Sequence, residues 1–113
     1  MSGKYLLHPA GDSQFHWDLK AGNAQTILSS QMYKAKAGAE SGIESCRNNS
    51  GDEVRYTRMT SEKNQPYFVL KSGNGEIIGT SQMYSSEAAR DAGVVSCKEN
   101  GPTGVTQDET QKK

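Results

Sequence analysis

The sequence predicts an α+β fold in which two tandem β-β-β-α repeats share one antiparallel sheet and two helices, related by a pseudo-two-fold axis. The stretch from Leu19 to Tyr33 recurs as the stretch from Leu70 to Tyr84, at an ungapped offset of about fifty-one positions. In each copy a period-two apolar pattern gives way to a helical period. Because a repeat of about fifty residues buries little apolar surface alone, we expect one core shared by both.

Each repeat is expected to contain three strands followed by one helix. In the first repeat the strands are predicted at about 4–8, 15–20 and 25–30, with a turn at 9–13, a hairpin turn at 21–24 and a helix at about 34–48. The register between the second and third strands stays open, because two- and three-residue loops pair different residues with Leu19. The inner face of the helix is predicted from residues at helical spacing: Ala35, Ala39, Gly42, Ile43 and Cys46.

The second repeat is predicted to follow the same plan. Its strands are expected at about 53–59, 66–71 and 76–81, and Ser85 is the expected cap of its helix. The inner face of this helix is predicted at the matching positions: Ser86, Arg90, Gly93, Val94 and Cys97. Because glycine inside a helix costs about 0.5–1 kcal/mol, we expect both helices to lie unusually close to the sheet or to each other at Gly42 and Gly93.

The chain is predicted to be a single domain over residues 1–113, with repeats at about 3–50 and 54–101 and a polar tail at 102–113. Within that tail a strand at 104–107 is an open alternative, and Asp108 to Lys113 is expected to be mobile. We expect a monomer, since the second repeat takes the place of a partner subunit.

Charge and hydropathy exclude several classes of protein. Thirteen basic and thirteen acidic residues cancel, which argues against binding to duplex nucleic acid or an anionic membrane, because both need a basic excess. No apolar run approaches the ~20 residues that span a bilayer, and the N-terminal residues lack the apolar segment of a signal peptide. A cytoplasmic location is therefore expected.

The repeated motifs Leu-Lys-x-Gly-Asn and Ser-Gln-Met-Tyr, with a Gly-Ile/Val-x-Ser-Cys helix end, resemble the YegP-like family of small bacterial proteins. The similarity covers roughly residues 3–101. It implies tandem β-β-β-α units joined into one sheet around a pseudo-two-fold axis. It also implies that relatives with a single unit form the same fold as homodimers. It carries over no catalytic or binding residue.

Cys46 and Cys97 are the first candidates for chemistry. A redox pair or a metal site is one interpretation, but neither cysteine has another cysteine or a histidine close in sequence. Both fall on the inner helical face near a helix C-terminus, where the dipole disfavours a thiolate. We therefore predict buried structural thiols.

The histidines lack counterparts in the second repeat. Met59 and Tyr67 stand where His8 and His16 would recur. A histidine beside Asp12 or Asp18 has the chemistry for proton relay or metal binding, but His16 falls on the polar strand face. Solvated histidines are the prediction.

Two repeated pairs of segments are further candidates. Ser30-Gln31-Met32-Tyr33 and Ser81-Gln82-Met83-Tyr84 are expected at strand-to-helix corners, where Met and Tyr would close the core and Ser or Gln would bond loose backbone groups. A symmetric pair of binding pockets at these corners is the alternative. Lys20 with Asn23, and Lys71 with Asn74, flank glycine turns and have the chemistry to hold an anion, although hairpin geometry explains them as well.

From these observations we predict a non-enzymatic binding or interaction module that presents a pseudo-symmetric sheet surface to a protein or a small ligand. No catalytic residue, cofactor site or metal site is predicted. The alternatives are a thiol-based redox protein using Cys46 and Cys97, or a protein that binds single-stranded nucleic acid through aromatic side chains such as Tyr67.

Overall fold

The computed structural model describes residues 3–11, 13–23 and 25–111. They form seven strands and two α-helices, which are listed here in chain order: β1 (Lys4–Ala10), β2 (Gln14–Lys20), β3 (Thr26–Ser29), α1 (Lys36–Asn49), β4 (Tyr56–Thr60), β5 (Pro66–Lys71), β6 (Ile77–Thr80), α2 (Glu87–Asn100) and β7 (Val105–Asp108). Short 3-10 helices cover Glu53–Arg55 and Glu109–Gln111. None of the described helices is long and apolar enough to cross a membrane.

All seven strands form one sheet in the order β4-β5-β6-β3-β2-β1-β7. The six strands of the two repeats pair antiparallel, and the repeats join where Ser29 of β3 pairs with Thr80 of β6. These two residues are equivalent in the two repeats, so the pseudo-two-fold axis passes between them. The predicted fold class is confirmed, and β7 makes the sheet mixed because it runs parallel to β1.

The hairpin register, which the sequence leaves open, is fixed by a β-bulge that occurs twice. Leu19 pairs with Leu28, and the next pair is Lys20 with Thr26. The second repeat has the same irregularity between Leu70 and Lys71. The extra residue in the first hairpin is Ile27, and the bulge allows both it and its neighbour Leu28 to be buried.

The core is a single cluster to which both repeats contribute, as predicted. Its largest buried side chains include Trp17, Leu19, Phe68, Leu70 and Tyr5 from the strands. From the helices it takes Ala39, Ile43, Cys46, Val94 and Cys97. Both helices pack on this face of the sheet. The opposite face, here called the open face, is covered by neither of the two described α-helices.

The helical glycines have the predicted packing reason. A Cβ added at Gly42 would lie 2.3 Å from the hydroxyl oxygen of Tyr33, and one at Gly93 would lie 2.2 Å from that of Tyr84. Each glycine therefore makes room for the tyrosine that precedes its own helix. The helix is brought close to the corner of its own repeat, rather than to the other helix.

Two predictions about chain ends are wrong. The cap of α2 is Ser86, whose Oγ accepts a hydrogen bond from the backbone N–H of Ala89 at 3.0 Å, and not Ser85. The expected mobile tail is ordered in its described part: Asp108 ends β7 and forms an ion pair with Lys36, with 2.6 Å between the carboxylate oxygen and Nζ. Burial pattern alone does not identify β7, because its only apolar residue, Val105, is exposed. Residues 112–113 lie outside the described residues.

Candidate functional site

The two Ser-Gln-Met-Tyr segments lie at the strand-to-helix corners, as predicted. The Oγ of Ser30 accepts a hydrogen bond from the backbone N–H of Trp17, and the Oγ of Ser81 accepts one from that of Phe68, both at 2.9 Å. The tyrosine rings pack against the core. Serine and tyrosine thus have structural roles in both repeats.

The methionines of these segments do not close the core, and that prediction is wrong. Met32 is 55% exposed and Met83 is 44% exposed. The tyrosine that follows each methionine packs against the core beside a helical glycine, and neighbouring residues of an extended segment face opposite sides. Each methionine recurs at the equivalent position of both repeats, although neither belongs to the buried core. Exposed methionines with this adaptable side chain are typical of binding surfaces.

Each corner borders a groove that both repeats build. The first groove lies between the β2–β3 hairpin and α2, and the second between the β5–β6 hairpin and α1. Their volumes are about 270 and 210 Å³. The first groove is lined by Ala21, Asn23, Gln25, Thr26, Ile27, Gln82, Tyr84, Ala89, Ala92, Gly93 and Ser96. The second groove is lined by Gln31, Tyr33, Gly38, Ser41, Gly42, Ser45, Ser72, Glu76, Ile77 and Ile78.

The grooves are equivalent under the pseudo-two-fold axis. Every residue of the second groove has its counterpart in the first, fifty-one positions away, and Asn23 is the one member of the first groove without a counterpart in the second. The hairpin of each groove belongs to one repeat, and its helix and corner belong to the other. A single repeat therefore cannot form either groove. Sequence reasoning finds the corners but misses the hairpin walls, because those walls depend on the β3–β6 pairing.

The groove lining is polar and almost uncharged. Amides and hydroxyls face small residues and one tyrosine in each groove, and Glu76 is the only charged side chain in either lining. Burial raises the pKa of Tyr33 and of Tyr84 above the ordinary value for a phenol. Both therefore remain neutral hydrogen-bonding groups at physiological pH.

The cysteines are buried, as predicted. Cys46 and Cys97 are free and have no exposed surface. Burial raises the pKa of the Cys97 thiol to about 12. It raises that of Cys46 further still, and the neighbouring Cys97 adds to that increase. A thiolate, which is the reactive form in redox chemistry, is therefore strongly disfavoured at both positions.

Alkylation of the native thiols is expected to be slow. At mildly alkaline pH, we expect iodoacetamide to label Cys46 and Cys97 at least about tenfold more slowly in the native protein than in guanidinium chloride, because only the exposed thiolate reacts. Peptide mass spectrometry over a time course measures both sites. Equal rates in the two conditions would instead favour the redox alternative.

The turn asparagines need no anion to explain them, and Lys20 and Lys71 lie at the ends of β2 and β5. The side-chain oxygens of Asn23 and Asn74 accept hydrogen bonds from the backbone N–H of Gln25 at 3.1 Å and of Glu76 at 3.2 Å. The asparagines thus stabilise their own hairpins, which is the interpretation that hairpin geometry favoured.

The histidines are not independent solvated side chains, and the prediction is wrong in this respect. His8 pairs with His16 across β1 and β2, and their rings stack with centroids 4.9 Å apart. His8 Nε2 lies 3.0 Å from a carboxylate oxygen of Asp18. The cluster depends on the pairing of β1 with β2, which brings His8 opposite His16 and which the sequence pattern alone does not determine. Asp12, the other predicted neighbour, lies outside the described residues.

The open face of the sheet differs between the repeats. The positions occupied by His8, His16 and Asp18 in the first repeat are Met59, Tyr67 and Val69 in the second. Of the strand aromatics, Trp17 and Phe68 are fully buried in the core. The open face therefore offers few aromatic rings for stacking bases.

This fold and these paired grooves define a class of two-repeat α+β proteins with an internal pseudo-two-fold axis. The model of the family described as "Domain of unknown function (DUF1508)" matches residues 10–56 and again residues 61–108. The chain belongs to this family.

Relatives match over nearly the whole chain. It is 51% identical to a UPF0339 protein of Shewanella oneidensis and 44% identical to the UPF0339 protein YegP of Escherichia coli K12, each over 97% of this chain and 100% of the relative. Two structures determined by NMR in solution have the same fold. The UPF0339 protein of Shewanella oneidensis matches with a TM-score of 0.90 and 49% identity over 98% of this chain and 97% of that one. The Escherichia coli protein yegP, described as of unknown function, matches with a TM-score of 0.92 and 43% identity over 100% of this chain and 97% of that one. The predicted resemblance is confirmed.

Proposed function

We propose that this protein is a non-enzymatic interaction module that binds a partner protein through its two equivalent grooves. The observation that carries the proposal is the pair of exposed methionines, Met32 and Met83, each next to residues that line a groove. They are repeated without contributing to the core, so their recurrence is explained by contact with a partner.

The size of the grooves favours a protein over a small molecule. Pockets that enclose a small ligand usually measure about 300–1,000 Å³, and both grooves are smaller than this. A side chain from a protein surface is of a suitable size. The neutral, amide- and hydroxyl-rich lining suits an uncharged polar segment, since a charged group would find no opposite charge in the first groove.

The symmetry of the grooves adds a constraint on the partner. Both grooves carry a glutamine, a serine and a tyrosine at equivalent positions. A partner that fills both grooves at once binds with higher affinity, because after the first contact the second one forms at a high effective concentration. The partner is therefore a symmetric protein, or one segment that contacts both corners.

Methionine variants test this function. We expect the double variant Met32→Ala/Met83→Ala to bind its partner at least about tenfold more weakly than the native chain, and each single variant to show an intermediate loss. The partner is first captured from a bacterial lysate on the immobilised native chain. It is then purified, and its affinity for each variant is measured by calorimetry.

A matched control is available in the same chain. Met59 is 38% exposed but lies in β4, outside both grooves. Met59→Ala is expected to leave the affinity unchanged. A partner that loses affinity for this control, or binds the double variant as well as the native chain, contradicts the proposed function. Amide shifts confined to the open sheet face would also contradict it.

A further inference from the structure

The half-buried cluster of His8, His16 and Asp18 points to a metal-binding site that is separate from the grooves. One ligand atom from each of the three side chains can be chosen so that all three atoms lie within 4.8 Å of one another. The three residues are on the open face of the sheet, on the adjacent strands β1 and β2. Two strands of a sheet position them, so little has to be ordered when a metal binds.

The geometry points to a divalent transition-metal ion, such as Zn²⁺ or Ni²⁺, held by the two imidazoles and one carboxylate. Imidazole nitrogen is the donor that these metals prefer, whereas Mg²⁺ and Ca²⁺ prefer oxygen ligands alone. His8 Nε2 and Asp18 Oδ2 are 3.0 Å apart. Two ligand atoms about 2.1 Å from one metal are separated by about 3.0 Å at the right angle of an octahedral ion and by about 3.4 Å at the tetrahedral angle that Zn²⁺ favours. The open side of the cluster leaves the remaining coordination positions to water.

The surroundings of Asp18 support this assignment. Ser29 Oγ donates a hydrogen bond of 2.6 Å to Asp18 Oδ1, the oxygen that is not paired with His8. Metal-binding carboxylates are commonly held by such a second hydrogen bond, which fixes the direction of the coordinating oxygen. The side chain of Asp18 is only 17% exposed and that of His8 is 30% exposed. The ligand atoms of His8 and Asp18 are thus held in place before a metal arrives.

The second repeat provides an internal comparison. Met59, Tyr67 and Val69 stand at the three equivalent positions, and none of them supplies an imidazole or a carboxylate. One metal ion per chain is therefore the expected stoichiometry, in contrast to the two grooves. The metal site does not depend on the groove function, because none of its residues lines a groove.

Calorimetric titration of the full chain with Zn²⁺ tests the site, using protein without a histidine tag. We expect one equivalent of Zn²⁺ to bind, with amide shifts concentrated in β1 and β2. Mg²⁺ at the same concentration should produce neither. His8→Met and His16→Tyr introduce the residues of the second repeat, and each should weaken Zn²⁺ binding by at least about tenfold, since a ligand is lost. Ser29→Ala should weaken it by about 10–100-fold, the usual effect of removing a hydrogen bond to a ligand.

Controls separate a metal site from general surface binding. Tyr67→Phe changes the equivalent face of the second repeat and should leave the Zn²⁺ affinity unaltered. If circular dichroism shows that His16→Tyr has lost its fold, His16→Gln replaces it in the comparison. Absence of stoichiometric Zn²⁺ binding overturns the assignment, and so does equal affinity in the native chain and the His8→Met/His16→Tyr double variant. Either result leaves the groove experiment unaffected.

Discussion

Gly42→Ala is expected to lower the free energy of unfolding by about 1–3 kcal/mol. A Cβ at this position would lie 2.3 Å from the hydroxyl oxygen of Tyr33 and 2.9 Å from Nε1 of Trp17. Trp17 is fully buried, so the indole cannot move aside without disturbing a close-packed core. The direction of the change tests the packing explanation, because replacing glycine by alanine without a clash would stabilise a helix interior by about 1 kcal/mol.

Urea denaturation followed by fluorescence measures this change, since Trp17 is the only tryptophan of the chain. Gly38→Ala is the matched control on the same helix. Its nearest neighbour is Tyr33 Cδ1 at 3.3 Å, a contact that a small shift relieves, so we expect a neutral or slightly stabilising change. Tyr33→Phe removes the nearest clashing atom and should recover part of the loss caused by Gly42→Ala. A stabilising Gly42→Ala would contradict the packing account of the repeated glycines.

The general plan of the fold could be predicted because the repeat and the alternation are local signals. The period-two pattern before each turn places Trp17 and Leu19 in the core, where the structure finds them fully buried. The recurrence at a fixed offset predicts a shared core, because each half is too small to stand alone. Even the packing requirement at Gly42 and Gly93 follows from the cost of glycine inside a helix.

The rest depends on contacts between segments distant in sequence. Strand β7 is polar and short. The alternation of apolar and polar residues therefore does not indicate that it pairs with β1. Met32 is exposed and its neighbour Tyr33 packs against the core beside Gly42, an arrangement that their order in the sequence does not determine. The cluster around His8 needs the register of β1 against β2, which brings His16 opposite it.

The candidate site was predictable only in part for the same reason. The sequence marks the corners, since their residues recur as a set, and it allows a symmetric pair of pockets there. It does not show that the wall of each groove comes from the other repeat, because that follows from Ser29 pairing with Thr80. Sequence repetition therefore identifies equivalent positions, and the sheet order determines which of them meet.

Tyr5→Phe and Tyr56→Phe are each expected to lower the free energy of unfolding by about 1–3 kcal/mol, and by similar amounts. The hydroxyl of Tyr5 donates a 2.7 Å hydrogen bond to the carbonyl oxygen of Gly101, and that of Tyr56 donates a 2.6 Å bond to the carbonyl oxygen of Ser50. These two carbonyls belong to the residues that end α2 and α1. Each bond fastens a helix end to a strand, and the two bonds are exchanged by the pseudo-two-fold axis.

Burial raises the pKa of both phenols well above the ordinary value, so each remains a donor at every pH at which the protein is handled. Without the hydroxyl, a buried carbonyl loses its partner while the ring stays in the core, which separates the hydrogen bond from the packing. Urea denaturation of the two variants at neutral pH gives the two losses. Tyr67→Phe, which changes a half-buried tyrosine of the open face, is the control and should change stability by less than about 0.5 kcal/mol. If only one variant loses stability, the two repeats are symmetric in backbone structure but their helix ends differ in how much these hydrogen bonds stabilise them. Equal losses would show that the two hydrogen bonds contribute equally to stability, as the pseudo-two-fold symmetry predicts.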